Sequence, residues 1–393
     1  MNRRSGGSKQ STMEKPLHEF PLMEPGHDNI VLFHPHIPAK AADCVAGVLG
    51  TRWIGQGPRV EEFEQKFSAK FGSDCPALAV GAGTDALHLA YILAGLQQGD
   101  EVIAPIFTCT ATNIPFLYMG VKIVFADVQR TTLNIDPADV RRRITDRTKA
   151  IVCVHYGGLP CDMAELQSTA DEHGLKVIED AAHALGATYK GRNVGQISDF
   201  TMFSFQAIKH ITTGDGGMLL FRDAQLMDQA RRIRWFGIDR KAKQGGHWEN
   251  DIWEVGYKYQ MTDVAAALGL AALEEFDWIL AHRQSLLAAY EKGLADVGGI
   301  NVIGIGCQDR THAAWMCTVT VENRDGLEAK LRESGIESSQ VHFRNDRYSV
   351  FGGRQEGYEN MDAIEDKYLV IPLHTHMGLE HVERVCSVIK SGW

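Results

Sequence analysis

The segment Gly81–Asp85 has the composition of an anion-binding loop. It follows the apolar run 77–80 and precedes a helical pattern, so the chain passes from a strand through a glycine-rich turn into a helix. Free N–H groups at the start of a helix, the positive end of the helix dipole and the Thr84 hydroxyl together favour a bound anion. A phosphate group is the expected ligand.

Two other interpretations of this segment stay open. The spacing of Gly81, Gly83 and Ala86 matches the dinucleotide fingerprint of dehydrogenases, which needs an acidic residue near the end of the following strand. The acidic pair at 100–101 instead precedes that strand, which argues against a dinucleotide. The segment could also be a capped helix start that binds no ligand.

A carboxylate and an amine follow two further apolar runs. Asp180 closes the run 177–180, and Ser204 lies near the end of the run 200–205, which leads into a polar, glycine-rich loop containing Lys209. Taken singly, such an Asp is commonly a helix cap and such a Lys a solvated surface residue. Because α/β sheets bind ligands at the carboxyl ends of their strands, we expect both groups near the phosphate loop.

Together these groups supply what pyridoxal 5'-phosphate (PLP) requires. The Lys209 amine can form a Schiff base with the PLP aldehyde, and Asp180 can keep the pyridine nitrogen protonated so that the ring accepts carbanion electrons. The Gly83–Asp85 loop would hold the phosphate group, with a further hydrogen bond from Ser204. His183 could donate to the phenolate oxygen of the ring, or it could be an ordinary core histidine.

The rest of the chain must place these groups on one sheet, and its periodicity predicts such a sheet. Short apolar runs alternate with amphipathic stretches from about residue 75, as in a doubly wound α/β domain. Several runs are apolar throughout, which is typical of strands covered on both faces. Seven strands are predicted, at 77–80, 102–105, 123–127, 150–155, 177–180, 200–205 and 217–221, with helices at 85–96, 163–173 and 224–235.

The alternation of strands and helices changes after Phe236. A polar, glycine-rich loop is predicted at 240–250, before a long helical pattern from Thr262 to about Leu294. We therefore predict a flexible N-terminal tail at 1–27, a large cofactor domain at 28–260, and a connecting helix with a small C-terminal α+β domain at 261–393. In the small domain we predict strands at 317–321 and 340–343, and helices at 325–334 and 379–391.

Composition and charge exclude several classes of function. The 40 basic and 50 acidic residues leave a net charge of −10, which argues against nucleic acid or an anionic membrane as a partner. The longest apolar stretch is shorter than the roughly 18 residues that span a bilayer, and the N-terminal residues lack the apolar core of a secretory signal. The eight cysteines are scattered without a C-x-x-C pair, which is typical of reduced thiols in the cytoplasm.

Two histidine pairs and a basic cluster carry weaker signals. The pairs His34-x-His36 and His374-x-His376 lack a third ligand at a characteristic spacing, so we predict no metal site. The cluster Arg231–Arg234 lies on a predicted helix, where we expect a solvated face.

The order and spacing of many segments resemble those of the DegT/StrS-type nucleotide-sugar aminotransferases, a branch of the fold-type I PLP enzymes. The likeness covers most of residues 30 to 290. It is carried by the lysine loop, by the Gly83–Thr84 turn and by the segments Thr51–Pro58, Gly158–Met163, Tyr189–Gly195 and Gly256–Thr262.

The resemblance implies a fold-type I transferase that moves an amino group from an amino acid, usually L-glutamate, to a nucleotide-linked keto-sugar. Lys209 would be the catalytic residue, and PLP would cycle through pyridoxamine 5'-phosphate. A homodimer with shared active sites is expected. The sugar dehydratases of this family carry His five residues after the motif serine, whereas this chain has Lys209 there. Transamination is therefore favoured over dehydration, with a cyclitol-ketone acceptor or a non-catalytic regulator as further alternatives.

Further site residues follow from the resemblance, and some depart from the family pattern. Cys109 stands where the family usually places an aromatic that stacks on the cofactor, and its polarizable sulfur could pack there instead. In the Gly256–Thr262 segment the family often supplies an Asn that reaches the partner subunit's cofactor phosphate. This chain offers Lys258 and Gln260 instead, and the Lys could serve as a point charge. Trp53 lies in a segment like the family's substrate loop, although it could be a core aromatic. His342 and Arg344 could hold a diphosphate or the donor carboxylate.

Overall fold

The seven predicted strands form one sheet in the computed structural model, which describes residues 22–26, 28–73, 75–249 and 251–393. In space they follow the order β1-β7-β6-β5-β4-β2-β3; β7 runs antiparallel to its neighbours and the other pairs are parallel. The strands are β1 (Ala77–Val80), β2 (Glu101–Pro105), β3 (Lys122–Ala126), β4 (Thr148–Val154), β5 (Lys176–Asp180), β6 (Phe200–Ser204) and β7 (Gly217–Phe221). The predicted α/β class with a mostly parallel seven-stranded sheet is confirmed.

The sheet is buried on both faces because successive side chains enter two different apolar cores. Along β1, Ala77 and Ala79 lie in one core, whereas Leu78 and Val80 lie in the other. Helices cover each face. The α-helices are α1 (Ala41–Leu49), α2 (Pro58–Phe67), α3 (Gly83–Leu93), α4 (Thr110–Met119), α5 (Pro137–Arg143), α6 (Met163–His173), α7 (Met227–Arg234), α8 (Arg240–Gln244), α9 (Asp263–Leu294), α10 (Arg324–Glu333), α11 (Glu359–Ile364) and α12 (Leu379–Lys390).

The long helix α9 joins this sheet to a second, smaller one. Its first half contributes Leu270 and Phe276 to the core of the large sheet, and its second half contributes Leu287 and Tyr290 to the core of the small sheet. The three strands of the small sheet are antiparallel, in the order β8 (Ile300–Val302), β9 (Cys317–Val321) and β10 (Tyr368–Ile371). The division at residue 260 stays a prediction. Residues 1–21 and 27 of the predicted tail lie outside the described residues.

The predicted strand at 340–343 is wrong. His342 has a φ of +66°, which is incompatible with an extended strand. The pairing starts one residue later, where Phe343–Arg344 runs antiparallel to Phe107–Thr108, next to the end of β2. This pairing brings a C-terminal segment to the large sheet.

Within the described ranges, the search for a helix long and apolar enough to cross a membrane finds none.

Candidate active site

The phosphate loop, Asp180 and Ser204 meet at one edge of the large sheet. Strands β1, β5 and β6 all end at this edge, and β7 begins there. Gly217, the first residue of β7, pairs with Val80 on one side and with Ser204 on the other. The start of α3 and the Ser204 hydroxyl are therefore neighbours, as the sequence predicted.

Glycine is required at two positions around the phosphate loop, Gly83 in the loop itself and Gly217 at the start of β7. A Cβ atom on Gly83 would lie 3.1 Å from Cβ and 3.2 Å from Oγ of Ser204, and one on Gly217 would lie 2.6 Å from the carbonyl oxygen of Ala82. The close approach lets the N–H groups at the start of α3 and the Ser204 hydroxyl face one shared space. Such a cradle fits a phosphate group. Burial raises the pKa of Asp85, on the first turn of α3, to about 6.

Asp180 is a buried carboxylate held in place from two sides. Its Oδ2 accepts a hydrogen bond of 2.7 Å from the Thr112 hydroxyl, and its Oδ1 accepts one of 3.1 Å from the N–H of Ala182. Burial raises the pKa of Asp180, whereas these two hydrogen bonds and Lys209 oppose the rise. Thr112 was not among the predicted site residues, because it comes from α4 and not from a strand end.

Lys209 lies in the turn between β6 and β7, beside an aromatic ring that no sequence pattern predicted. Its Nζ is 3.5 Å from the ring centroid of Trp315, whose Nε1 donates to the carbonyl oxygen of Ile208 at 3.0 Å. Burial lowers the pKa of Lys209 to about 7; Asp180 and Cys109 oppose this shift, and Arg283 adds to it. A lysine with this pKa can act as a nucleophile and as a base near neutral pH.

The lowered pKa predicts how the protein without cofactor should capture PLP. The fraction of neutral Lys209 rises from about 9% at pH 6 to about 91% at pH 8, so the capture rate should rise roughly tenfold and then level off. An amine of ordinary pKa, about 10.4, would continue to gain neutral form through pH 10. Stopped-flow absorbance after mixing with PLP measures this rate, with free Nα-acetyllysine as the control. A rate that rises as steeply above pH 8 as below it would contradict the prediction.

His183 and His342 lie next to each other at the same edge. The ring of His183 stacks on Trp315 at 3.8 Å, and its Nε2 lies 3.3 Å from Nε2 of His342. The other ring nitrogen of His183, Nδ1, is buried and has no hydrogen-bond partner among the described residues. Because buried polar groups are normally paired, this nitrogen fits a cofactor atom as its partner.

The remaining predicted cofactor and substrate residues occupy different places. Cys109 is partly buried directly before α4, close enough to Lys209 to affect its pKa. Lys258 is exposed, with Nζ 3.9 Å from the ring centroid of Trp235. Trp53 lies in the loop before α2 and is 36% exposed, so it is not a core aromatic.

Arg344 does not offer its guanidinium to a ligand in this structure. It is fully buried and donates two hydrogen bonds to the carboxylate of Asp346, at 2.6 and 2.7 Å, and further ones to Asp362 and to the carbonyl oxygen of Gln355. A buried arginine paired in this way stabilises the fold around it. We therefore leave Arg344 out of the proposed site.

A cation-rich cavity of about 1110 Å³ lies beside the segment that carries Lys258. Trp53, Trp235 and Trp248 contribute to its walls, together with the arginine cluster of α7. The expectation of a solvated cluster is wrong in part: Arg234 is buried, where it pairs with Glu64 at 2.6 Å, and its Nε has no partner among the described residues.

Arg52, Arg240 and Lys243 also line this cavity, and in the described part of the chain none of them has a carboxylate within ion-pair distance. Arg52 lies 4.9 Å from the ring of Trp53, Arg240 donates to the carbonyl oxygen of Gln56 at 2.7 Å, and Lys243 lies 5.8 Å from the ring of Trp248. Burial and nearby Arg234 lower the pKa of Arg240, whereas the carboxylates of Glu61 and Asp263 partly oppose the shift.

Among the described residues, the structure brings together a group of potential metal ligands that the sequence spacing did not suggest. Atoms of Cys153, His155 and Cys161 lie within 4.8 Å of one another, and all three residues are buried. Both nitrogens of His155 are engaged, because Nε2 lies 2.8 Å from Oε2 of Glu179 and Nδ1 accepts from the N–H of Cys161. These bonds leave the imidazole no free nitrogen for a metal ion, and the expectation of no metal site stays a prediction.

The fold and the arrangement at this edge define the class of fold-type I PLP-dependent enzymes. The chain belongs to the DegT/DnrJ/EryC1/StrS aminotransferase family, whose model matches residues 35–390. The protein is thus a PLP-dependent aminotransferase, and the predicted family and enzyme class are confirmed.

Individual relatives agree with this assignment over nearly their whole length. The UDP-4-amino-4-deoxy-L-arabinose–oxoglutarate aminotransferase of Shewanella sediminis is 33% identical over 378 residues, which cover 91% of this chain and 97% of that protein. The solved structure of the sugar aminotransferase CalS13 from Micromonospora echinospora has a TM-score of 0.88 at 32% identity, covering 93% of this chain and 100% of its own. The PLP form of the sugar aminotransferase Spr1654 from Streptococcus pneumoniae has a TM-score of 0.86 at 27% identity, covering 92% and 98%.

Proposed function

We propose that this protein transfers an amino group from L-glutamate to a keto-sugar linked to a nucleotide, for amino-sugar biosynthesis. The observation that carries the proposal is that Lys209, Asp180 and the cradle formed by Gly83 and Ser204 lie at the same edge of the sheet. The name of the Shewanella relative pairs a UDP-linked amino sugar with oxoglutarate, the keto acid that glutamate leaves behind. Spr1654 has been solved with PLP and with pyridoxamine 5'-phosphate, which supports the same two forms here.

Each predicted cofactor residue has a task that its surroundings allow. The Gly83–Asp85 turn and Ser204 would bind the phosphate group. Asp180 would face the ring nitrogen and Cys109 the ring. Once bound, PLP withdraws electrons from the substrate carbon whose proton is removed. Lys209 would hold the cofactor covalently between turnovers and carry that proton.

The surroundings of Lys209 favour transamination over dehydration. The dehydratase branch needs a histidine in place of this lysine, and the histidine that follows it is engaged elsewhere. His210 is buried, and its Nε2 donates to the carbonyl oxygen of Ala313 at 2.7 Å. Burial lowers the pKa of His210 to about 3, so it remains neutral and bonded to the backbone.

The cavity beside Lys258 suits the anionic, aromatic part of a nucleotide-linked sugar. Within the described residues Arg52, Arg240 and Lys243 form no ion pair and offer positive charge, although acidic side chains such as Glu61 also line the cavity. The tryptophans offer faces on which a base can stack. Lys209 does not line this cavity. We therefore propose a cytoplasmic homodimer in which the nucleotide occupies the cavity of one subunit while the sugar reaches Lys209 of the other. Lys258 would then approach the partner's cofactor phosphate.

Half-reactions test this function directly. Protein loaded with PLP should lose its visible absorption on addition of L-glutamate, and the resulting pyridoxamine form should regain it with UDP-, GDP- or dTDP-linked keto-sugars. Activity only with a free cyclitol ketone would overturn the proposed acceptor, and no change with any amino donor would overturn transamination.

Replacing Arg240 with alanine tests the proposed nucleotide site. We expect KM for the nucleotide-linked sugar to rise about 10- to 100-fold, since a charge-assisted hydrogen bond is lost, with the glutamate half-reaction unchanged. Arg222→Ala removes an exposed arginine outside the cavity and is the matched control. An equal effect of Arg240→Ala on both half-reactions, or no rise in KM, would remove the cavity from the proposal.

A further inference from the structure

The imidazole rings of His183 and His342 lie side by side with nearly parallel planes. Their ring planes differ by 6°, their centroids lie 5.2 Å apart, and the two Nε2 atoms are separated by 3.3 Å. A hydrogen bond between two ring nitrogens needs one proton, so one histidine donates and the other accepts. Burial lowers the pKa of both side chains, that of His342 to about 3, which keeps both rings neutral.

The direction of this hydrogen bond decides the tautomer of His183. If Nε2 of His342 carries the proton, then His183 must carry its own proton on Nδ1. If Nε2 of His183 donates instead, its Nδ1 is a bare acceptor. Nδ1 is the buried nitrogen without a partner in the described part of the chain, so it is available to a group that binds at this edge. An anionic oxygen at this point requires an N–H donor there.

The backbone of His342 indicates that its ring position is maintained at a cost. Its φ of +66° lies in the left-handed region, which is unfavourable for a non-glycine residue. The Tyr368 hydroxyl, on β10, donates to the carbonyl oxygen of His342 at 2.8 Å and fixes the peptide. Such strain persists where the surrounding structure imposes it, and it is concentrated at functional sites.

The ring of His183 is fixed independently of this hydrogen bond. It stacks on Trp315 at 3.8 Å with an interplanar angle of 15°, and Trp315 is anchored through Nε1 to the Ile208 carbonyl oxygen. The ring plane is therefore set by Trp315, and the position of the proton on the ring is left to its neighbour. Tautomer control by a second group is a common task of the residues behind an active site.

We propose that His342 is a positioning residue that donates its Nε2 proton to His183, so that His183 presents an Nδ1–H donor to an anionic oxygen of the cofactor. The acceptor is the phenolate oxygen of PLP, and in this respect the inference rests on the proposed function. His342 acts through His183 and contacts neither the sugar nor the donor.

Two substitutions of His342 separate this role from a structural one. His342→Gln keeps an N–H near the position of Nε2, whereas His342→Leu removes it, and both keep a non-glycine residue at the strained φ. Nitrogen-15 NMR of histidine-labelled protein without cofactor reports the protonated nitrogen of His183. We expect Nδ1–H in the wild type and in His342→Gln, and Nε2–H in His342→Leu. Nε2–H in the wild type, or no change in His342→Leu, would overturn the proposal.

Binding of PLP provides a second readout. We expect His342→Leu to raise the Kd of PLP about tenfold, as for loss of a hydrogen bond to a charged group, and His342→Gln to stay within about twofold of the wild type. Equal weakening by both variants would show a packing role and overturn the proposal. If the wild type forms no lysine-bound PLP, the proposed function fails, while the NMR result still decides the tautomer.

Discussion

Replacing Lys209 with alanine is expected to lower kcat for transamination by about 10³- to 10⁴-fold. The substitution removes the amine that holds the cofactor and the base that carries the substrate proton, and proton transfer by a placed side chain alone contributes up to about 10⁴-fold. Steady-state kinetics with L-glutamate and a keto-sugar nucleotide measures the loss. Borohydride reduction followed by peptide mass spectrometry should find PLP on Lys209 in the wild type and not in the variant.

The control for this variant is Lys292→Ala, which removes an exposed lysine of α9 and should leave kcat and the visible band unchanged. Thermal unfolding of both variants separates loss of chemistry from loss of fold. If Lys209→Ala keeps more than about a tenth of the wild-type kcat, Lys209 is not the catalytic lysine.

The second large effect is expected for Asp180→Asn. The amide oxygen can still accept the hydrogen bond from the N–H of Ala182, and the amide NH2 can donate to the Thr112 hydroxyl oxygen. The neutral amide cannot, however, stabilise a proton on the ring nitrogen of PLP. Loss of one placed electrostatic partner in an active site lowers rates by about 10²- to 10³-fold. We expect kcat to fall by that factor and the Kd of PLP to rise, as measured by kinetics and by titration of the visible band.

Asp199→Asn is the matched control for this change, because Asp199 accepts a backbone N–H bond from Val177 away from the site. It should leave kcat within about twofold of the wild type. A normal kcat in Asp180→Asn would show that a group other than Asp180 stabilises the proton on the ring nitrogen of PLP.

The sequence predicted the large sheet well because each of its strands has a local signature. β1 and β7 occur at the predicted residues, and Asp180, Ser204 and Gly83 reach one edge because parallel strands end together. The short strand at 340–343 failed for a local reason as well: the positive φ of His342 depends on tertiary contacts that periodicity does not record.

Parts of the site that come from distant segments were not predictable in the same way. Trp315 precedes β9 of the small sheet, and only the packing of that sheet places its ring beside Lys209. The arginine cluster of α7 looked like a solvated face because its spacing is helical and charged, whereas Arg234 is buried against Glu64. Arg344 was predicted to bind an anion, whereas in the structure its guanidinium is paired with the carboxylate of Asp346. For Trp315 and Arg234 the partner that decides the role is remote in sequence, whereas the Arg344–Asp346 pair is local but depends on burial that the sequence does not show.

The pairing of β1 with β7 affects when the protein can bind its cofactor during folding. β1 occurs early in the chain, yet it pairs with β7, which is synthesised much later. Pairing across such a separation carries a loop-closure cost and slows folding. A nascent chain that ends before Gly217 therefore has β1 without this neighbour and the turn at Gly83 without its support. PLP capture should therefore occur only when the large sheet is complete. If refolding is monitored by visible absorbance, the signal should give the time of the last strand pairing and not that of the first collapse.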